Sequence, residues 1–452
     1  MHIIVIGAGE VGSYVAEILS KEGNDVAVVE QHRGRLRRVQ EKLDVLTVLG
    51  SGTHPDVLRE AGIDRADLMV AVTQVDEVNL IACLFARQHG VERAVARIEA
   101  SCLRGHEAAE LRDAVGADLV IDPDREVAHE VLDLLQFPGA SEVAVMGGGE
   151  VIVIGTKLAE DAPLANRTLH DIAQEYEPDW DFLVGAVTRG ADTIIPRGDQ
   201  RLLPDDTLRV VCKRRARREL MGLLGLHRGI PRRVMLLGGG RTAEILADEL
   251  AQRHAEVTLV EHNPERAHEL AERLDGVMVL QGEITDADLL TEADIGEVDA
   301  VVALTGEDDA NILACLYAKS LGAKETIAVL HGLSYRRLLD QVGIDVALSP
   351  RIASANAVLR FVRGGVTAVA TFLAGDFEVI EIEVPDSSQA DGQLVSDLGL
   401  PKDVLIGAIV RDGKAQIARG WSELRGRDHL VVFAKPQAVV QVRRIFGLSS
   451  ES

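Results

Sequence analysis

Apolar residues come along this chain in short runs, separated by stretches where they recur every three or four positions. Residues 2–6 (HIIVI) form the first run, rich in β-branched side chains, and residues 26–29 (VAVV) the second. Between them, Val15, Ile18 and Leu19 stand at helical spacing. That pattern predicts strand, helix, strand. It continues as a charged helix over 33–42, a strand over 45–49, a helix over 55–61, a strand over 67–72 and a helix over 79–89. Strands over 94–98 and 119–121 and a helix over 125–136 follow. Short strands alternating with helices predict a parallel, doubly wound sheet. After Pro138-Gly139 the pattern changes. Residues 150–158, 182–189 and 207–212 are β-like and 164–173 has helical spacing, which predicts a small βαββ module.

The whole order then repeats. AVTQVDEVNLIACLFAR, from Ala71, matches ALTGEDDANILACLYAK, from Ala303. GAVTRG at Gly185 matches GAIVRDG at Gly407, inside a second small module built from 377–384, 394–398, 406–411 and 429–434. The expected fold class is therefore α/β. Two doubly wound, parallel-sheet Rossmann-like domains, residues 1–124 and 231–350, are each followed by a small α+β (βαββ) module, residues 140–224 and 368–450.

Candidate chemistry sits at the turn after each first strand. Gly7-Ala8-Gly9-Glu10-Val11-Gly12 follows the run 2–6 directly. Gly7 permits a tight turn, Gly9 lets the backbone approach a pyrophosphate, and Gly12 lets the helix close on the sheet. The helix end supplies free N–H groups and the positive end of its dipole. Glu30, at the end of the second strand, can accept ribose hydroxyls, which favours NAD over NADP. The second set is Gly238, Gly239, Gly240, Arg241 and Thr242, with Ala243 in place of the third glycine, and Glu261 as the acid. Thr73, Gln74 and Arg97 belong to the carboxyl edge of the first predicted sheet, where ligands of such folds sit. In the second half Leu330 is expected where the first has Arg97.

Composition narrows the class. A hydrophobic share of 47% is ample for buried cores, while aromatic residues are only 3%. No apolar run approaches the roughly 18 residues of a membrane span. A strand at the very start predicts no signal peptide. Cys83, Cys102, Cys212 and Cys315 show no metal or redox spacing and read as core residues in a reducing compartment, hence cytoplasmic. The net charge of −24 argues against nucleic acid and against direct docking on anionic lipid. Lys213, Arg214, Arg215, Arg217, Arg218, Arg228, Arg232 and Arg233 cluster at the junction of the halves, as a solvated face or as a contact for an acidic surface. No tyrosine has a lysine four residues on, and no HxxxH, HExxH or P-loop occurs. Two nucleotide sites without catalytic residues or a metal set predict a sensor rather than an enzyme. An NAD-dependent oxidoreductase, or a nucleotide-sensing partner of some other membrane protein, are the alternatives.

The chain also resembles a known family, the TrkA regulatory subunits of Trk potassium uptake, built from tandem RCK domains (regulators of potassium conductance). The matching runs are GAGEVG at Gly7, GTHPDVLREAGIDRADLMVAVT at Gly52, DEVN at Asp76, VARIEA at Val95, GGGRTA at Gly238, ANILACLYAKSLGAK at Ala310 and LPKDVLIGAIVRDGK at Leu400. The resemblance implies a cytoplasmic subunit, peripheral on the inner face of the cell membrane. It would bind NAD(H), and ATP or ADP, and gate a separate integral-membrane potassium translocator of the Trk type. It further implies assembly as a homo-oligomer, a tetramer. Carried over by residue, Gly7, Ala8, Gly9, Glu10 and Val11 take the pyrophosphate and Glu30 the ribose of the first site, with Thr73, Gln74 and Arg97 on the strand edge. Gly238 to Thr242 and Glu261 form the second. Arg241-Thr242-Ala243 departs from the family's usual Asn-Ile-Gly, so the two sites are expected to differ in ligand preference.

Overall fold

The computed structural model describes residues 1–99, 114–176, 181–190, 192–226, 229–332, 343–362, 366–371, 377–386 and 388–448. The first of its two compact units comprises Met1–Glu126 and Arg351–Val369. Six parallel strands lie there in the order Leu46–Leu49, Asp25–Glu30, His2–Ile6, Leu68–Ala71, Arg93–Arg97, Leu119–Ile121. Strand order reverses beside His2–Ile6, which opens a crevice at the carboxyl ends. Ile3, Ile4, Val5 and Ile6 are all buried, as a strand covered on both faces must be. The helices close on the sheet through alanines, Ala82 and Ala86 against Ala71, Ala94 and Ala96. Small side chains thus do the packing that aromatics do elsewhere.

The second unit, Val127–Pro350 and Ala370–Ser452, holds the second parallel sheet, the first small module and the second module from Ala370 onward. Its parallel strands repeat the order: Val277–Gln281, Glu256–Glu261, Arg233–Leu237, Ala300–Ala303, Glu325–Val329, Val346–Leu348.

One helix does not follow the linear order. Pro350–Val362 closes the second half in sequence, yet from Arg351 onward it belongs to the first unit. Ile352, Ala355, Val358, Leu359 and Val362 are all buried in it. Arg93 fastens its end, donating to the carbonyls of Phe361 and Val362 at 3.3 and 3.2 Å and lying over the Phe361 ring. Its counterpart in the first half, Pro123–Leu135, passes into the second unit at Val127.

The first small module is an antiparallel sheet in the order Asp192–Ile194, Phe182–Arg189, Thr207–Lys213, Val151–Lys157, Glu142–Met146. It has two strands more than the βαββ pattern. The helix is Leu169–Tyr176 rather than 164–173, because Asn166 turns with φ 63° and the Thr168 hydroxyl accepts the Asp171 N–H at the helix start. In the second module one 3-10 turn, Val395–Asp397, takes its place. Four strands of that module lie in the order Glu378–Glu383, His429–Ala434, Val404–Arg411, Lys414–Ile417. Each module carries the same brace: Arg189 grips the buried Asp206 with two bonds of 2.7 Å, and Arg411 grips Asp428 at 2.7 and 2.6 Å. The modules meet where Gly147 donates its N–H to Glu381 at 2.7 Å.

The basic junction is largely tied down. Lys213 and Arg215 share Asp181 at 2.8 Å, and Arg217 lies over Phe137. Arg228 is outside the described residues. The Arg232 and Arg233 N–H groups both bond to Asp299, at 2.8 and 3.0 Å. Burial opposes ionisation of Asp299, but hydrogen bonds from Lys324 and from those two amides outweigh it and hold its carboxyl at about 2. A depressed carboxyl contributes stability that is full above its ordinary value and is lost as pH falls through the folded one. Asp299→Asn should therefore cost about 2 kcal/mol at neutral pH. It should also abolish an acid-dependent loosening of Arg232 and Arg233, read by amide exchange between about pH 4 and about pH 2. Acid behaviour unchanged by the substitution would contradict this.

Candidate nucleotide-binding sites

Both glycine loops are built alike. Gly7 and Gly238 turn with φ +102° and +105°, a conformation that favours glycine, and donate to the carbonyls of Val29 and Val260 at 2.8 Å. The helices Glu10–Lys21 and Arg241–Gln252 start after Gly9 and Gly240, which offer no side-chain oxygen to cap them. A helix start without a side-chain cap is where an anion can accept backbone N–H groups. The acids are buried and already engaged. Glu30 accepts the Ala8 and His32 N–H groups at 2.8 Å, and Glu261 accepts those of Gly239 and Asn263 at 2.6 and 2.7 Å. A carboxylate has about four acceptor sites, so each keeps capacity for ribose hydroxyls while bracing its loop from behind.

Among their small residues the loops differ by the position of one methyl group. A Cβ at Gly12 would lie 1.9 Å from the Gly7 carbonyl oxygen, and one at Gly239 would lie 2.7 Å from a Glu261 oxygen. The first loop therefore pairs Ala8 with Gly12, and the second pairs Gly239 with Ala243. The carbonyl of the second loop residue is also satisfied differently. Ser13 Oγ donates to Ala8 at 3.1 Å, whereas Arg266 Nε donates to Gly239 at 3.0 Å. Glu244, the counterpart of Ser13, holds Arg266 at 2.6 Å. Of the remaining first-loop residues, Glu10 is exposed and Val11 is buried; Arg241 and Thr242, which replace them, are half-buried.

At the strand edge a residue the motifs did not single out does the positioning. Asn79 is fully buried on helix Asp76–Gln88. Its Oδ1 accepts from the Thr73 N–H and hydroxyl at 2.9 and 2.7 Å, and its Nδ2 donates to the carbonyls of Thr73 and Arg97 at 3.0 and 2.8 Å. Asn311 repeats all four contacts with Thr305 and Val329. Gly7 is within van der Waals reach of Thr73, so loop and strand edge share one crevice; Gln74 is exposed at its rim. Arg97 pairs with Glu99, whose N–H is held by Asp76 at 3.0 Å. In the second half the position matching Arg97 is Val329 and not Leu330: Asn311 bonds Val329, and Ala328 pairs with Ala303 as Ala96 pairs with Ala71. The ungapped match that starts at Ala71 and Ala303 reaches Val329 as well, so the expectation of Leu330 is one residue too far along. Burial pushes the Cys83, Cys212 and Cys315 thiols up to about 12, which makes them unreactive; Cys102 is outside the described residues.

Two family models match this architecture in tandem. The TrkA-N domain matches residues 3–131 and 234–350, and the TrkA-C domain matches 153–225 and 379–447. The chain belongs to the TrkA family. The Trk system potassium uptake protein TrkA of Halomonas elongata is 36% identical, over 98% of this chain and 97% of its own length. That of Azorhizobium caulinodans is 35% identical over 100% of both chains, and a homolog from Archaeoglobus fulgidus is 35% identical over 99% of this chain and 100% of its own. Among solved structures, the GsuK RCK domain is similar with a TM-score of 0.60 at 17% identity, covering 99% of this chain and 95% of that one. The GsuK channel bound to NAD gives 0.59 at 17% identity, covering 99% and 79%. These structures share the fold with the TrkA family chain. No helix among the described residues is long and apolar enough to cross a membrane.

Proposed function

We propose that this TrkA family member is the nucleotide-binding subunit that gates an integral-membrane potassium translocator of the Trk type, from the inner face of the cell membrane. The observation that carries this is the duplicated crevice: an uncapped helix after a glycine loop, a buried acid behind it and an asparagine-fixed strand edge, twice in one chain. Gly7, Ala8, Gly9, Glu10, Val11 and Gly12 would hold a pyrophosphate, Glu30 the ribose, and Thr73, Gln74 and Arg97 the strand-edge side of the ligand. Gly238, Gly239, Gly240, Arg241, Thr242 and Glu261 do the same in the second half. The ligand class is NAD(H) or an adenine nucleotide. A nucleotide gates only through unequal affinity for two arrangements of the protein. With Arg97 in one half and an apolar residue in the other, the first site is the better suited to discriminate phosphate charge and the second to prefer the dinucleotide.

Pull-down of the full chain from membranes, with and without NADH and ATP, tests the reading; it requires a potassium translocator among the retained proteins. Absence of one under every nucleotide condition counts against it, and steady hydride transfer to a carbonyl substrate would favour an oxidoreductase. For the ligand, Glu30→Ala should weaken NAD binding at one site only, by roughly 1.5–3 kcal/mol for the missing charge-assisted hydrogen bond. Calorimetry that finds both sites unchanged would show the acid misassigned.

The homo-oligomer, a tetramer in this reading, has its support on the sheet-flanking helices. Ile81 and Leu84 are exposed on Asp76–Gln88, and Leu313, at the position matching Ile81, is 59% exposed on Asp308–Leu321. Exposed apolar positions repeated in both halves fit a face covered by another copy. Light scattering should give a mass well above the 48.7 kDa of one chain, falling in Leu313→Glu. A monomer at micromolar concentration would rule this out.

A further inference from the structure

Arg351 is the second residue of helix Pro350–Val362 and is part of the first unit. Its guanidinium lies over the Tyr14 ring, 4.9 Å from the centroid. Tyr14 is the fifth residue of helix Glu10–Lys21, the helix that follows the first glycine loop. Helical side chains lean toward the N-terminus, so the Tyr14 ring leans over the turn before it, and a cation held on that ring is carried toward the helix start after Gly9. Arg351 Nε is buried without a hydrogen-bond partner, and among the described residues no carboxylate pairs with this side chain. An aromatic face holds a guanidinium by its flat side and leaves the N–H edges, which lie in its plane, for a ligand.

The first loop otherwise lacks positive charge. Residues 7–13 contain only the acid Glu10, and Arg97 on the strand edge shares its charge with Glu99. The second half has the opposite arrangement in sequence: Arg241 stands at the position of Glu10, and Asp124 at the position of Arg351 in the matching helix Pro123–Leu135. The cation is thus supplied by the loop itself in one half and by a distant helix in the other.

We propose that Arg351 is a phosphate-binding residue of the first nucleotide site, reading the terminal phosphates of a nucleoside di- or triphosphate. The inference rests on residues 7–12 being a phosphate loop. Its test is calorimetric titration of the full chain, Arg351→Ala and Arg351→Lys with ATP, ADP and adenosine. Arg351→Ala should weaken ATP at one of two sites by roughly tenfold or more, because its charge-assisted hydrogen bond to phosphate is gone, and leave adenosine unchanged. Arg351→Lys should restore part of that affinity. Should the alanine variant not fold, Arg351→Gln serves the same comparison. A side chain that only staples Tyr14 would lower the melting temperature and leave the ratio of ATP to adenosine affinity as it was. That ratio unchanged in a folded variant overturns the inference alone. Failure of the unaltered chain to bind any nucleotide overturns the phosphate-loop reading, and this inference with it.

Discussion

Asn79→Ala is expected to release the loop at the end of strand Leu68–Ala71 and to cost about 3–5 kcal/mol locally. The magnitude follows from what one amide does. It satisfies the Thr73 N–H and hydroxyl and the carbonyls of Thr73 and Arg97 from a fully buried position. Alanine leaves these groups without the amide in a place water reaches poorly, and each orphaned group costs about 1–3 kcal/mol, part of which relaxation recovers. Gly7 abuts Thr73, so the glycine loop should loosen with it and nucleotide affinity should fall at the first site only. Amide exchange at Thr73 and Ile98, with calorimetry on the same variant, reads both effects. Slow exchange as in the unaltered chain would mean that the amide is dispensable. Asn79→Asp is informative beside it, because the carboxylate keeps the acceptor and loses the donor toward the two carbonyls.

The second large effect is expected at Glu142. Arg209 is 1% exposed, and its guanidinium bonds both Glu142 oxygens, at 2.8 and 3.0 Å, and the Thr188 hydroxyl at 2.9 Å. Removing one member of a buried pair leaves a charge without its counter-ion and costs about 3–5 kcal/mol, so Glu142→Ala should destabilise the first small module by that order. Replacing the pair by apolar residues is a different matter, often neutral or stabilising. The second module supplies the precedent, since Val431 stands at the position of Arg209 and is fully buried. Glu142→Leu combined with Arg209→Met should therefore restore most of the stability. Exchange of the Thr207–Lys213 amides follows both. Equal loosening in the single and double variants would show that the ion pair is not what holds these strands.

What the linear chain discloses is what a single position can require. Gly7 and Gly238 are legible because their backbone angle and the adjoining helix start demand that residue, and Glu30 and Glu261 because an acid ends an otherwise apolar strand. The parallel, doubly wound class follows from alternation of strands and helices, and its recurrence from the duplication. Asn79 is in plain view inside a repeated segment, but its meaning depends on Thr73 and the Arg97 carbonyl converging in space. Edge strands such as Glu142–Met146, half exposed, and Asp192–Ile194, three residues long, carry too little pattern to stand out. Val329, and not Leu330, matches Arg97, and both the ungapped repeat from Ala71 and Ala303 and the sheet pairing place it there. Helix Pro350–Val362 announces by its apolar face that it is buried, and says nothing of which sheet buries it.

That helix also sets a clock on biosynthesis. The first unit needs residues 351–369, so its sheet emerges from the ribosome long before the helix that completes it, with residues 127–350 still to be made. At about 5–20 residues per second the wait is on the order of ten seconds or more. Throughout it, the surface destined for Ile352, Leu359 and Val362 stays uncovered, an opening for chaperones or for a neighbouring nascent chain on the same message.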